Sequence, residues 1–235
     1  DMRNSGVEFA VNGNIMSRRN FSWDAYVNFT HYTNKVLDIP TTHETLDIEG
    51  HPGYASGNNY VGEGLPLNTF YMPKYAGVDK TNGLPMWYKE ETQEDGTVKQ
   101  VTTSEYSEAT DYLCDDPTPL LYGGFGTSFS FYNFDISAAF TYSLGGLTYD
   151  SGYASYMSPP GGSVGSKFHK DVLKAWSPEN KNSDIPRFVY NDQNINASSD
   201  RFLVPASYLN FQNAQIGYTL PSSVLSRMKV DKMRV

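Results

Sequence analysis

The chain has 235 residues, and its 26 Asp and Glu against 18 Lys and Arg give a formal net charge of -8, which excludes a basic footprint for nucleic acid. Aromatic residues make up 14% of the chain and charged residues only 19%, a balance that points to extensive β-structure against an apolar surround rather than to disorder. No apolar run approaches the roughly 20 residues of a membrane helix, which leaves a transmembrane β-barrel open, because its strands show only alternation.

Strand signals come in pairs. "DMRNSGVEFAV" starts inside a strand pattern with no signal peptide ahead of it, as a mature N-terminus or an excised fragment would. Val7, Phe9, Val11 and Ile15 alternate with polar residues, "SRRN" (17–20) connects, and Phe21, Trp23, Ala25, Val27 and Phe29 resume the beat. Two period-2 runs around a short polar connection predict a β-hairpin. A looser pair, 68–78 and 84–90, flanks Asn82-Gly83, a dipeptide suited to a tight turn. "EDG" (94–96) either turns within a loop or leads this pair on into "TVKQVTT".

The clearest pair follows. In 122–131, Phe125, Thr127, Phe129 and Phe131 alternate with Gly124, Gly126, Ser128 and Ser130. After a turn at Tyr132-Asn133, Phe134, Ile136, Ala138, Phe140 and Tyr142 alternate with Asp135, Ser137, Ala139, Thr141 and Ser143. A fourth pair combines 208–220 with the terminal "MKVDKMRV", linked by "PSSVLSR". There the apolar parity shifts between Phe211 and Ala214, which predicts a bulge near Asn213.

Between the pairs, stretches 33–66, 104–119 and 146–204 read as long irregular loops, with one helical pattern over 166–176 that Pro178 stops. Loops of that length argue against a compact soluble domain, and short turns alternating with long loops match an outer-membrane barrel. Phe21, Trp23, Tyr132 and Phe134 lie beside the short turns, where an interfacial aromatic girdle belongs. The competing reading is a soluble β-sandwich with the Phe residues as its core. Against it stands the opposite face, rich in Ser, Asn, Gly, Gln and Thr but poor in Lys and Glu.

Chemical motifs are sparse. The one cysteine, Cys114, excludes an internal disulfide framework, and His31, His43, His51 and His169 lack metal-ligand spacing, so no metal and no cofactor is expected. "DQNINASSD" (192–200) starts like a calcium loop, but Ala197 replaces the required Gly and Leu203 the bidentate Glu. "YGGFG" lacks the Lys-Ser/Thr of a phosphate loop. Glu90, Glu91, Asp115 and Asp116 read as solvated loop acids, and no catalytic signature points to an enzyme. The candidate ligand contacts are Tyr153, Tyr156 and Trp176 in the longest loop, with Asp184 and Arg187 close behind. Flat rings beside polar groups suit stacking on sugars or packing on a protein, and equally suit packing the loop on itself.

Three stretches, "LYGGFGTSFSFYNFDISAAFTYSLGGLTYD", "AWSPENKNSDIPR" and "SSDRFLVPASYLNFQNAQIGYTLPSSV", resemble the C-terminal barrel of SusC/RagA-type TonB-dependent transporters. "NSGVEFAVNGNI", "FSWDAYVNFTHYTNKV" and "VGEGLPLNTFYMPKYAGVDKTNGLP" fit the same family in the same order, so the resemblance runs nearly end to end. It implies an all-β fold, an antiparallel transmembrane barrel of 22 strands with long extracellular loops, of which residues 1–235 hold about eight strands. The plug domain, the earlier strands and the closing strand then lie outside these residues. The implied activity is import of oligosaccharides or peptides across the outer membrane of a Gram-negative bacterium. The implied partners are a SusD-like lipoprotein, the TonB complex acting elsewhere on the protein, and the lipid bilayer, with no nucleic acid. Family members often carry basic residues where this chain has Asn210 and Gln212.

Overall fold

The structure is a computed structural model that describes residues 1–43, 46–159, 165–192 and 194–235. In chain order, β1 (Met2–Arg18) and β2 (Phe21–Val36) come first. They precede β3 (Leu46–Ile48), β4 (His51–Ser56), β5 (Asn59–Gly62), β6 (Thr69–Pro73) and β7 (Tyr75–Val78). Next come β8 (Pro85–Thr92), β9 (Val98–Thr103), β10 (Asp111–Leu113), β11 (Leu121–Phe131) and β12 (Phe134–Leu144). The chain continues through β13 (Leu147–Tyr149), helix α1 (Ser151–Tyr156), β14 (Leu203–Pro205), β15 (Tyr208–Tyr218) and helix α2 (Ser222–Met228). Two compact units result: a strand unit (4–34, 118–146 and 206–235) and a loop unit (1–3, 35–117 and 147–205).

The strand unit is built on one antiparallel sheet in the order β1-β2-β11-β12-β15. Its alternation sorts side chains in register across the strands. One face carries Val27, Phe125, Phe140 and Phe211 in one row and Trp23, Phe129, Ile136 and Ile216 in another. The other carries Asn28, Gly124, Thr141 and Asn210, then Asp24, Ser128, Ser137 and Gln215. Rings on the bulky face form a continuous contact: Phe125 stacks on Phe140 at 5.0 Å, and Phe140 meets Phe211 at 5.2 Å. Among the described residues no second layer covers this face within the strand unit, and Phe211 and Ile216 remain 56% and 75% exposed. A sandwich would bury those residues, so the sandwich reading fails here.

The short turns are Arg19-Asn20 and Tyr132-Asn133. The first is shorter than the "SRRN" connection expected, because β1 runs on to Arg18. The turns are stitched to their neighbours, since the Tyr132 amide donates to the Asn20 carbonyl and the Thr219 amide to the Asn133 carbonyl, both at 2.8 Å. Aromatic residues gather beside them: Trp23 stacks on Phe129 at 5.7 Å and Phe134 meets Tyr218 at 4.6 Å. The predicted bulge is present with Gln212 as the extra residue, since Ala139 pairs with Asn213 and Phe140 with Phe211.

Other expectations need correction. The stretch 68–78 is not one strand. It divides at Lys74 between a β10-β6-β5-β4-β3 sheet and a β7-β8-β9 sheet, so the long sheet holds five strands, not about eight. The Asn82-Gly83 turn forms between β7 and β8, and "EDG" turns β8 back into β9, where the Gln93 amide donates to Thr97 O at 2.8 Å. "PSSVLSR" enters α2 instead of a plain connection, and the terminal pairing is a short one, a bridge between Thr219 and Arg234 flanked by Tyr218–Val235 and Leu220–Met233 hydrogen bonds. The helical pattern over 166–176 yields only a 3-10 segment, Lys170–Lys174.

Among the described residues the loop unit is a folded body with its own core, where irregular loops were expected over much of it. Tyr60, Met72, Trp87, Met157 and Phe202 are buried there. Trp87 packs edge-on against Tyr106 at 5.1 Å, and Tyr149 does the same against Phe202 at 6.0 Å. Asp150 caps α1 by accepting the Tyr153 amide at 2.7 Å.

Candidate functional site

In the loop unit, the five residues singled out from sequence fall into two groups. Tyr153 is half-buried in α1, where its ring meets His169 edge-on at 4.8 Å and its hydroxyl donates to Asp171 Oδ2 at 3.3 Å. Burial pushes its phenol above the usual range, with the Asp171 carboxylate adding to the effect. Tyr156, on the same helix, is 51% exposed. The other three meet at the Asn82-Gly83 turn. Trp176 Nε1 donates to Lys80 O at 3.3 Å, and Arg187 Nε donates to Asp192 Oδ2 at 2.8 Å. The exposed Asp184 lies 4.0 Å from Lys80 Nζ. Gly83 holds φ +76°, and a Cβ there would strike the Trp176 ring, so this position needs glycine twice over.

A buried ring cluster supports this region. The Arg201 guanidinium lies over Tyr75 at 5.1 Å and over Phe202 at 5.2 Å, and donates to Ile195 O at 3.0 Å. Desolvation lowers the Arg201 pKa and pushes the Tyr75 phenol up to about 12. Asp200 accepts the Tyr75 amide at 2.7 Å, tying β7 to the 3-10 segment Asp200–Phe202. These groups are anchored by protein partners, which suits a scaffold for exposed side chains. Among the described residues, no three His, Cys, Asp or Glu come together to hold a metal ion.

A second candidate surface is the small polar face of the strand unit. Its lower part is a hollow of about 450 Å³ lined by Asn12, Asn14, Asp24, Tyr26, Ser128 and Asn213. There Asn14 Nδ2 and Ser22 Oγ each donate to the Asp24 carboxylate at 2.9 Å. Its upper part, beside the strand ends that lead to the long loops, is a broader hollow of about 870 Å³. Thr30, Tyr122, Ser143 and Tyr208 cross that hollow as one in-register row. Tyr32 approaches Tyr122 edge-on at 6.1 Å, and among the described residues no Lys or Arg lines the hollow.

The sequence reading did not single out Tyr32, Tyr122 and Tyr208. The signal was present in the alternation: Tyr122 shares the parity of Gly124 and Gly126, and Tyr208 that of Asn210. A large ring on a face otherwise kept small and polar marks itself out.

No family model matches the chain. Among curated proteins it is similar to two TonB-dependent receptors of Formosa agariphila. The identity is 27% with receptor P3, over 100% of this chain and 23% of that protein, and 26% with receptor P26, over 99% and 23%. Among solved structures it is similar to a chain of the RagAB peptide transporter, at 27% identity and TM-score 0.78 over 99% of this chain and 24% of that one. RagAB peptide importer structures in the "closed-closed" and "open-open" states match at 28% identity, each with TM-score 0.78. The chain thus spans about a quarter of the length of its relatives. Those relatives are receptors and transporters, not enzymes. Among the described residues no helix is long and apolar enough to cross a membrane, which says nothing of a β-barrel.

Proposed function

We propose, from the premise that this chain is a SusC/RagA-like stretch of a TonB-dependent transporter, that its long sheet is a section of an outer-membrane barrel wall. The observation that carries this is the bare aromatic face on a single-layered sheet. β11 has 11 residues, about 36 Å at roughly 3.3 Å each. At a tilt near 40° that leaves about 28 Å of height, enough for an apolar band of roughly 25 Å. The aromatic face is then solvated by lipid, the rings beside the short turns form one interfacial girdle, and the small polar face lines a wide lumen.

The full transporter imports oligosaccharides or peptides in three steps. Its extracellular loops and a SusD-like lipoprotein capture ligand, the lid closes, and force transmitted by TonB moves the plug to release ligand inward. Residues 1–235 are a C-terminal part of the barrel, and the plug, earlier strands and closing strand belong to the rest of the polypeptide. The RagAB relatives, named as a peptide transporter and importer, support the two-protein arrangement. The equal similarity to two states fits a section that keeps its shape through the cycle. In the loop unit, Tyr153, Trp176 and Arg187 hold loops that present Tyr156 and Asp184 to ligand.

The test is the intact mass of the native polypeptide containing these residues, taken from a detergent-extracted outer-membrane fraction. These residues weigh 26.3 kDa and span 23% of receptor P3, so a mass of roughly 100 kDa or more is expected. A soluble 26.3 kDa product would overturn the barrel and return the chain to the rival reading, a secreted β-rich carbohydrate-binding or carbohydrate-active domain.

A further inference from the structure

We infer that the upper hollow on the polar face is a stacking subsite for a neutral, polyhydroxylated ligand, an oligosaccharide. This rests on the polar face lining the transporter lumen, and it goes further by assigning a ligand class to particular residues.

The first observation is the gathering of three rings at one end of a face whose other side chains, Tyr26 apart, are mostly small. Tyr122 and Tyr208 are 38% and 54% exposed. They stand in one row with only Ser143 between them, which by strand spacing places their Cα atoms about 10 Å apart. Tyr32 turns its ring edgewise to Tyr122. Among the described residues, the hydroxyls of Tyr32, Tyr122 and Tyr208 have no hydrogen-bond partner, unlike Tyr142, whose hydroxyl donates to Asn28 O at 3.0 Å. These three rings on a concave polar surface pack only at the Tyr32–Tyr122 edge contact and spend no hydroxyl on internal hydrogen bonds. They offer flat apolar faces with polar tips, the combination that binds a ring carrying hydroxyls.

The second observation is charge. Asn4, Asn34, Thr30 and Ser143 supply amides and hydroxyls, with Asn4 and Asn34 hydrogen-bonded to one another. Glu8 is the one carboxylate at the hollow, and His31 has its Nδ1 within 2.6 Å of the Leu120 carbonyl oxygen. Among the described residues no guanidinium or ammonium lines the surface, so a peptide C-terminus or a sulfate group would be desolvated there without a partner. A neutral sugar loses nothing comparable and gains stacking and hydrogen bonds.

The experiment uses the full-length transporter, purified in detergent with any lipoprotein that accompanies it. Saturation-transfer NMR is recorded with a pool of neutral glucan and mannan hexasaccharides and, separately, with a pool of tryptic peptides. The neutral pool is expected to bind, to bind about tenfold more weakly to the Tyr122→Ala/Tyr208→Ala variant, and to bind Tyr122→Phe/Tyr208→Phe as it does the parent. Each variant is accepted only if its heat-modifiable gel mobility matches the parent's, and Tyr32→Ala replaces the double variant if that one does not fold. Three results would overturn the subsite: no binding of the neutral pool, binding unaffected by the alanines, or peptide binding with the same tyrosine dependence. If the parent itself lacks barrel-type mobility and outer-membrane location, it is the transporter reading that fails.

Discussion

Arg234 reaches across β15 to Asp135 on β12, donating from Nε to Oδ1 at 3.0 Å. The residue it passes over is Gly217, the in-register partner of Asp135, where any Cβ would collide with the guanidinium. One glycine therefore lets a side chain beyond the sheet clasp the second strand in. Gly217→Ala is expected to lower the urea midpoint of the full-length transporter, and Arg234→Ala to lower it only slightly, since the pair is solvent-accessible. Combined, they should be no worse than Gly217→Ala alone, because without the guanidinium the new methyl has nothing to displace. Strictly additive losses would show that Gly217 is required for another reason.

Ala138 and Ala139 are adjacent in β12 and point to opposite faces. If the bulky face meets lipid, Ala138→Arg at mid-sheet costs about 2–4 kcal/mol, and the same change at Ala139 costs little. The amount of folded protein recovered from outer membranes is expected to fall sharply for the first variant only. Equal recovery of both would contradict the assignment of faces.

Burial holds the Asp200 carboxyl above its ordinary value of 3.8, opposed by the Tyr75 amide that it accepts. With the folded value raised, the group's contribution to stability is complete below 3.8 and is lost as pH rises through the folded value. Asn keeps the acceptor and removes the charge. Asp200→Asn should therefore leave the loop unit at least as resistant to protease at pH 7 and flatten the acid side of its stability profile. A marked loss of resistance at pH 7 would mean that the carboxylate charge itself stabilises the fold.

Cys114 offers a chemical check on the loop unit's interior. Burial pushes its thiol up to about 11, so at pH 8 roughly one molecule in a thousand carries the thiolate. Alkylation by iodoacetamide is expected to be slow at pH 8 and to quicken about tenfold per pH unit up to that value. Complete labelling within minutes at pH 8 would show that the site opens.

The sequence disclosed the long sheet well because alternation is a local property. In 122–143 the parity of most residues is written in their size, Tyr122 and the Ala138-Ala139 pair excepted, and the single parity slip after Phe211 marked the bulge. Parity reports a face, however, and not a sheet. Nothing local in "TFYMPKYAGV" says that Lys74 is where the chain passes from one sheet to another; that follows from contacts with residues far along the chain, such as Asp200. In 166–176 the helical pattern is realised only as the 3-10 segment Lys170–Lys174, which His169 Nδ1 caps by accepting the Asp171 amide and a Lys174–Asp171 pair spans. For the site, aromatic content pointed to the loops, where Tyr153 and Trp176 are largely engaged with their own unit. The freer rings were Tyr122 and Tyr208, visible only when each tyrosine is assigned to a face.

The two-residue turns and the lone extra residue Gln212 also constrain how this segment tolerates insertions and deletions. A substitution in β11 or β12 changes one side chain on one face. Losing a single residue inverts every side chain between the break and the next turn, sending Phe and Ile into the polar hollow and Asn and Ser out. Length within these strands can therefore change only in twos, or singly where a second bulge absorbs the difference. Homologues should keep the spacing from Phe21 to Asn34 and from Leu121 to Leu144 far better than they keep the residues themselves.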